Sequence, residues 1–199
     1  MSSVITNIKQ LDPKGSYTYA DYLLWQFSER VELIKGKIFK MSPAPSRNHQ
    51  GISMATTLIL AKFLKNQSCK MYAAPFDVRL VNYKDSTVDS KIISVVQPDL
   101  CVICDLDKLD EKGCLGSPDL IIEILSPGNS NKEMDVKFDL YQENKVKEYW
   151  IVNPMEKTVF IYALENDRYI GLKPLTESST LQSAVFPKLK FRVKQIFEV

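Results

Sequence analysis

The stretch Pro118-Asp119-Leu120-Ile121-Ile122-Glu123-Ile124-Leu125-Ser126-Pro127 decides how the chain is read. Its apolar run is nearly continuous and bounded by turn residues, the pattern of a strand covered on both faces. Glu123 sits in the middle of it. A carboxylate there is costly unless it is paired, protonated or bound to a cation. Asp99 poses the same question at the head of a second apolar strand, Gln97-Pro98-Asp99-Leu100-Cys101-Val102-Ile103-Cys104. Two strands joined by a loop of this length can be neighbours in one sheet. Their carboxylates can then converge on a hard divalent ion, which wants oxygen ligands and often takes only one or two carboxylates plus water. The bland alternative is that Glu123 pairs with a Lys or Arg, or sits at the end of the sheet, and that Pro-Asp merely starts a strand.

Downstream, a helix is expected over residues 133–144, with Met134, Phe138 and Tyr141 on one face. Lys137 and Tyr141 stand at i and i+4 and so share a side of it. The helix returns the chain toward the sheet, which lets Lys137 reach the Glu123 end. An ammonium there can orient a metal-bound water or stabilise charge developing on a phosphate. By default such a Lys is solvated and Tyr141 is core.

Upstream, residues 19–27 read as a short helix capped by Thr18. Val31-Glu32-Leu33-Ile34 and Lys37-Ile38-Phe39-Lys40-Met41 flank Lys35-Gly36 as a hairpin. Ser42-Pro43-Ala44-Pro45-Ser46 breaks the pattern before a helix over 48–66, with Ile52, Ala55, Ile59 and Phe63 at helical spacing. Strands are expected over 71–81, 95–104 and 119–125, with a turn-like segment over 107–117, and again over 148–152, 158–163 and 169–174. This order predicts an α+β (α/β-like) domain with a central mixed β-sheet flanked by helices. Residues 1–199 read as one domain with a loosely attached start over 1–15.

Composition narrows the chemistry. The chain has 199 residues, 26 Lys plus Arg against 24 Asp plus Glu, and a formal net charge of +2. Such a balance argues against nucleic-acid binding by bulk electrostatics alone. A single His, His49, excludes multi-His metal sites within one chain. It is also the only partner a Ser-His-Asp triad would have, and Ser126-Pro127-Gly128 is not a G-x-S-x-G elbow. Acid–base or metal chemistry therefore falls to carboxylates and lysines. No apolar run approaches the roughly 18–20 residues that span a bilayer, so no membrane partner is expected. The N-terminus lacks a secretory pattern, and the expectation is a cytoplasmic protein whose four Cys (69, 101, 104 and 114) are reduced. Cys101 and Cys104 form a C-x-x-C on a strand, where residues three apart face opposite ways, which argues against a shared zinc.

Asp99 after Pro98, Glu123 in an apolar strand and a nearby Lys resemble the PD-(D/E)XK nuclease superfamily. In that pattern the Lys stands two residues after the acid, where this chain has Leu125. Taken together, Gln97-Pro98-Asp99, the segment from Pro118 to Pro127, Asp135-x-Lys137-x-x-x-Tyr141 and Glu148-Tyr149-Trp150-Ile151-Val152 are similar to the Uma-two family of restriction-endonuclease-like proteins. Val31-Glu32-Leu33-Ile34-x-Gly36, Met41-Ser42-Pro43-x-Pro45, His49 at the start of a helix and Asp77-Val78 extend the resemblance, which covers roughly residues 17–197. In that family the Lys stands on the following helix, which maps its role onto Lys137.

The resemblance implies a restriction-endonuclease-like fold and metal-dependent hydrolysis of phosphodiester bonds in nucleic acid, with DNA the expected class. It implies Mg²⁺ or Mn²⁺ held by Asp99 and Glu123, with Glu32 as a further acid binding directly or through water, and Lys137 positioning the attacking water. Asp77 is a weaker candidate, and His49 is expected to cap or pack. The rival expectation is a catalytically inert nuclease fold that binds nucleic acid or protein. A homodimer is a further expectation, because cutting both strands of a duplex needs two sites.

Overall fold

The computed structural model describes residues 4–41, 44–81, 87–126 and 131–199, and for 131–133 the backbone alone. Ser42 and Pro43, the first two residues of the break expected over 42–46, and Pro127 after the expected strand lie outside these residues. In chain order the elements are α1 (Tyr19–Tyr22), β1 (Val31–Ile34), β2 (Lys37–Lys40), α2 (Arg47–Leu64), β3 (Lys70–Ala73), β4 (Val78–Arg79), β5 (Val95–Val96), β6 (Leu100–Ile103), β7 (Leu109–Asp110), β8 (Gly113–Leu115) and β9 (Leu120–Ile124). They continue as α3 (Asn131–Glu143), β10 (Glu148–Asn153), β11 (Thr158–Glu165), β12 (Arg168–Gly171), β13 (Leu175–Thr176), β14 (Thr180–Gln182) and β15 (Lys190–Arg192).

The main sheet runs β12-β11-β10-β9-β6-β3, with β13 also on β11. Within this sheet β9 and β10 pair in parallel, the other described pairs being antiparallel, and α3 is the crossover between them. β6 lies antiparallel to β9 with Leu100 opposite Ile122, so the two acid-bearing strands are neighbours, as the loop between them allows. Strand alternation explains the unbroken apolar run of β9. Leu120, Ile122 and Ile124 join a core formed with Ile52, Leu60 and Leu64 of α2, Trp150 and the C-terminal Phe191. Ile121 points to the opposite core, with Leu140 and Tyr141 of α3 and with Ile34, Val78 and Val96 from a second sheet. That second sheet, β2-β1-β5-β4-β8-β7, packs beyond the α3 side, and β14 pairs with β15 separately.

The hairpin β1–β2 forms in the expected register, Ile34 opposite Lys37. Lys35 (φ 50°) and Gly36 (φ 76°) both take the left-handed conformation that a two-residue turn of this hand needs. Other boundaries move. The helix expected over 19–27 keeps only α1, because Trp25 turns aside into an extended bridge with Ile5. Helix α2 buries His49, Ile52, Thr56, Leu60 and Leu64, leaving Ala55, Ile59 and Phe63 half-buried beside this stripe.

The single strands expected over 71–81 and 95–104 are each two strands in different sheets. β3 and β6 belong to the main sheet, β4 and β5 to the second. Pro75 and Pro98 mark the crossings, since a proline has no N–H for the ladder. The turn-like 107–117 segment holds the short hairpin β7–β8.

The expectation of four reduced thiols is corrected. Cys69 and Cys104 form a disulfide, while Cys101 and Cys114 are free and buried. The reason is register: Lys70 stands opposite Ile103, which brings the residue before β3 beside the residue after β6. Cys101 and Cys104 do face opposite cores. Among the described residues, no helix is long and apolar enough to cross a membrane.

Candidate active site

Each proposed site residue is delivered by a different element to the seam between the two sheets. Glu32, on β1, shares a strand face with Ile34, which packs on the α3 side. Glu123 points to that same side from β9. Asp99 stands where the chain leaves the second sheet at Gln97-Pro98 and enters β6. Lys137 comes down from α3 one turn before Tyr141. Glu32, Asp99, Glu123 and Lys137 all line one cavity of about 280 Å³.

The Lys137 ammonium is the centre of the cluster. Its Nζ lies 3.0 Å from Glu32 Oε1, 2.9 Å from Glu32 Oε2 and 2.9 Å from Glu123 Oε1. Only 8% of Lys137 and 2% of Glu32 are exposed, so this is a buried ion cluster and not a surface pair. Glu32 Oε1 also accepts from the Gln97 backbone N–H at 2.8 Å. The Tyr141 hydroxyl donates to Glu123 Oε1 at 2.7 Å. Asp99 does not touch Lys137 in this arrangement. Its Oδ2 accepts from the Ile124 N–H at 2.7 Å, which locks it to the end of β9 beside Glu123. Between described residues, no hydrogen bond engages Asp99 Oδ1 or Glu123 Oε2.

One ammonium shared by Glu32 and Glu123, with Asp99 close by, leaves Glu123 only partly compensated. Burial pushes the Glu123 carboxyl up to about 7; Lys137 pulls it down, while Asp99 and Glu32 push it up further. Burial alone would lower Lys137, but the Glu123 and Glu32 carboxylates hold it well above its ordinary value, so it stays charged. Burial and then the charge of Glu123 push the Tyr141 phenol far up, so it remains a donor. A group that adds positive charge beside Asp99 and Glu123 would relieve this imbalance.

Two residues matter more here than their sequence suggested. His49, expected to cap or pack, reaches the acids: its Nε2 lies 3.1 Å from Ile124 O and 3.3 Å from Asp99 Oδ2. The hydrogen bond to Asp99 outweighs burial and raises its pKa. Gln97 is a hub, because its amide Nε2 donates to Asp77 Oδ1 at 2.8 Å and its Oε1 accepts from Arg30 at 2.9 Å. Asp77 therefore supports Gln97 and is not among the residues lining the acidic cavity. The only sequence signal for Gln97 was its place before Pro-Asp.

Glu148, from another segment of the resemblance, is fully buried and structural. It accepts from Trp150 Nε1 (2.7 Å), the Ser183 hydroxyl (2.6 Å) and the N–H groups of Ala184 (3.2 Å) and Val185 (2.9 Å). It thereby holds the C-terminal segment against β10.

The chain is 25% identical over 150 residues to an uncharacterized protein of Synechocystis sp., covering 74% of each. The crystal structure of a putative nuclease belonging to DUF820 from Anabaena variabilis matches with a TM-score of 0.66, covering 91% of this chain and 97% of that one at 21% identity. That likeness supports the expected α+β, restriction-endonuclease-like architecture. Residues 19–194, nearly the whole chain, match the family Uma2, described as "Putative restriction endonuclease". With the fold, the seam of acids and this match all in agreement, the chain belongs to the Uma2 family.

Proposed function

We propose that this protein is a metal-dependent endonuclease that hydrolyses phosphodiester bonds of nucleic acid, DNA being the first substrate to test. The observation that carries the reading is the meeting of Glu32, Asp99, Glu123 and Lys137 in one cavity. Among the described residues, no three His, Cys, Asp or Glu side chains stand as one metal-holding group. Both oxygens of Glu32 are turned onto Lys137, whereas Glu123 meets it through Oε1 alone, so in this reading Asp99 and Glu123 would be the direct ligands and Glu32 would act through water. Two carboxylates plus waters suit Mg²⁺ or Mn²⁺. When bound, the ion would supply Lewis acidity and a water of lowered pKa.

The remaining work falls to the chain's own groups. Lys137, kept protonated by Glu32 and Glu123, would orient the attacking water and offset charge on the phosphate. Tyr141 holds the orientation of Glu123, and the Ile124 N–H that of Asp99. Breaking both strands of a duplex needs two such sites, which a homodimer would provide.

The test is plasmid nicking with Mg²⁺ or Mn²⁺, using the parent protein and Asp99→Ala, Glu123→Ala and Lys137→Ala. Cleavage by the parent and loss in all three is the expected result. A parent that cuts no DNA or RNA with any of several divalent metals overturns the proposal. A second reading rests on the saturation of Lys137 by two carboxylates, an arrangement that needs no ion and suits an inert binding module. Absence of calorimetric Mg²⁺ and Mn²⁺ binding, together with metal-independent affinity for DNA, would favour it.

A further inference from the structure

A second cavity, of about 330 Å³, adjoins the acidic one, and Arg30 and Gln97 line both. Its other walls include Tyr22, Trp25, Phe27 and Pro75. The Trp25 and Phe27 rings are nearly parallel, 27° apart with centroids at 5.7 Å, and Tyr22 lies 5.4 Å from Trp25. Neighbouring Tyr19 is 1% exposed, but Tyr22, Trp25 and Phe27 are only half-buried and turn part of their surface to this cavity.

We propose that this cavity receives one unpaired nucleobase of the strand whose phosphate lies among the acids. The inference deepens the nuclease reading and rests on it for the position of that phosphate. It adds a substrate class: a single strand, or a duplex with a base turned out of its stack. The aromatic wall offers the π surface on which any base can stack, whatever its sequence. A base inside a duplex already has both faces covered and cannot use it.

The polar edge is equally suited. Gln97 is fixed by Asp77 and by Arg30, whose guanidinium keeps further N–H donors for a base oxygen or the adjoining phosphate. The backbone N–H of the same Gln97 holds Glu32, so one residue ties the base cavity to the acid cluster. Stacking also suits a chain with a net charge of only +2, which cannot rely on bulk attraction to phosphates.

Tryptophan fluorescence gives a direct test. The chain has two Trp, and Trp150 is 1% exposed, so ligand-dependent quenching reports on Trp25. The full chain is titrated with oligothymidylate, with the same strand lacking its bases, and with a blunt duplex, each in EDTA and in Ca²⁺. Oligothymidylate should quench the fluorescence and bind more tightly than the other two. Phe27→Ala and Trp25→Leu should weaken its binding, read by anisotropy of a labelled strand, by roughly 5- to 150-fold. Trp25→Phe should restore most of the affinity, and melting curves identify any variant that fails to fold.

Equal affinity for the base-free strand overturns the pocket, as does no binding of oligothymidylate in either condition. So does a normally melting Phe27→Ala protein that binds oligothymidylate as tightly as the parent. Base-dependent quenching by a protein that cuts nothing with Mg²⁺ or Mn²⁺ overturns the nuclease reading alone. Cleavage indifferent to both Phe27→Ala and Trp25→Leu overturns the pocket alone.

Discussion

Replacing Glu123 by Gln preserves the side-chain shape and an oxygen that can accept from Tyr141 and Lys137, but it removes the charge. The carboxyl is 13% exposed and is raised from 4.5 to about 7, chiefly by burial. The folded state therefore holds this proton more tightly than the unfolded chain does. Its contribution to stability is full below about pH 4.5 and is lost as the pH rises through about 7. The amide of the Glu123→Gln variant carries no such dependence. Linkage across that span makes the parent lose roughly 2–3 kcal/mol relative to Glu123→Gln between about pH 5 and pH 8. For a chain of this size that is a change of roughly 5–10 °C in the melting-temperature difference.

Paired thermal melts of the two proteins at both pH values, in EDTA, read it directly. The variant should gain on the parent as the pH rises. Adding Mg²⁺ at the higher pH should raise the parent's melting temperature and leave the variant's unchanged, because only the carboxylate form favours the cation. Parallel pH profiles, or a variant that loses ground at the higher pH, would refute the reasoning. Either would mean that Lys137 already compensates Glu123 in full and that the site has no deficit of positive charge.

Lys137→Met leaves Glu32 and Glu123 buried without their shared cation and should cost about 3–5 kcal/mol in urea unfolding. A loss below about 1 kcal/mol, the range of an exposed pair, would contradict a buried cluster. Glu148→Ala strips the acceptor from four donors and should cost at least about 3 kcal/mol, read by the same assay. Its folded fraction should match the parent per molecule in the nicking assay, since Glu148 lies outside the acidic cavity. Alkylation of the native protein followed by mass analysis should leave Cys101 and Cys114 unmodified, both being buried. Cys69 and Cys104 should become modified only after reduction; labelling of those two without reductant would count against the disulfide.

The residues that were legible in advance carry local or periodic signals. The run around Glu123 announced a strand with both faces covered, and the carboxylate inside it was an anomaly that needed a partner. Lys35-Gly36 dictated the turn of its hairpin, and the spacing of Lys137 and Tyr141 placed both on one side of α3. The pairing of β6 with β9 was allowed by the length of the loop between them.

Contacts between distant segments had no such signature. Glu32 meets Lys137 only because β1 joins a second sheet that packs on the α3 side. That sheet exists because the two long candidate strands each break at a proline and divide between sheets, a choice set by pairing partners and not by the strands themselves. The same packing makes Gln97 a hub, carries His49 to Asp99 and sets Cys69 beside Cys104. Sequence by itself thus determined the element types and the chemistry available, because backbone preference and apolar period act over a few residues. Only the tertiary structure decided which acids hold the lysine and which stands apart from it, because that depends on register between strands far apart in the chain.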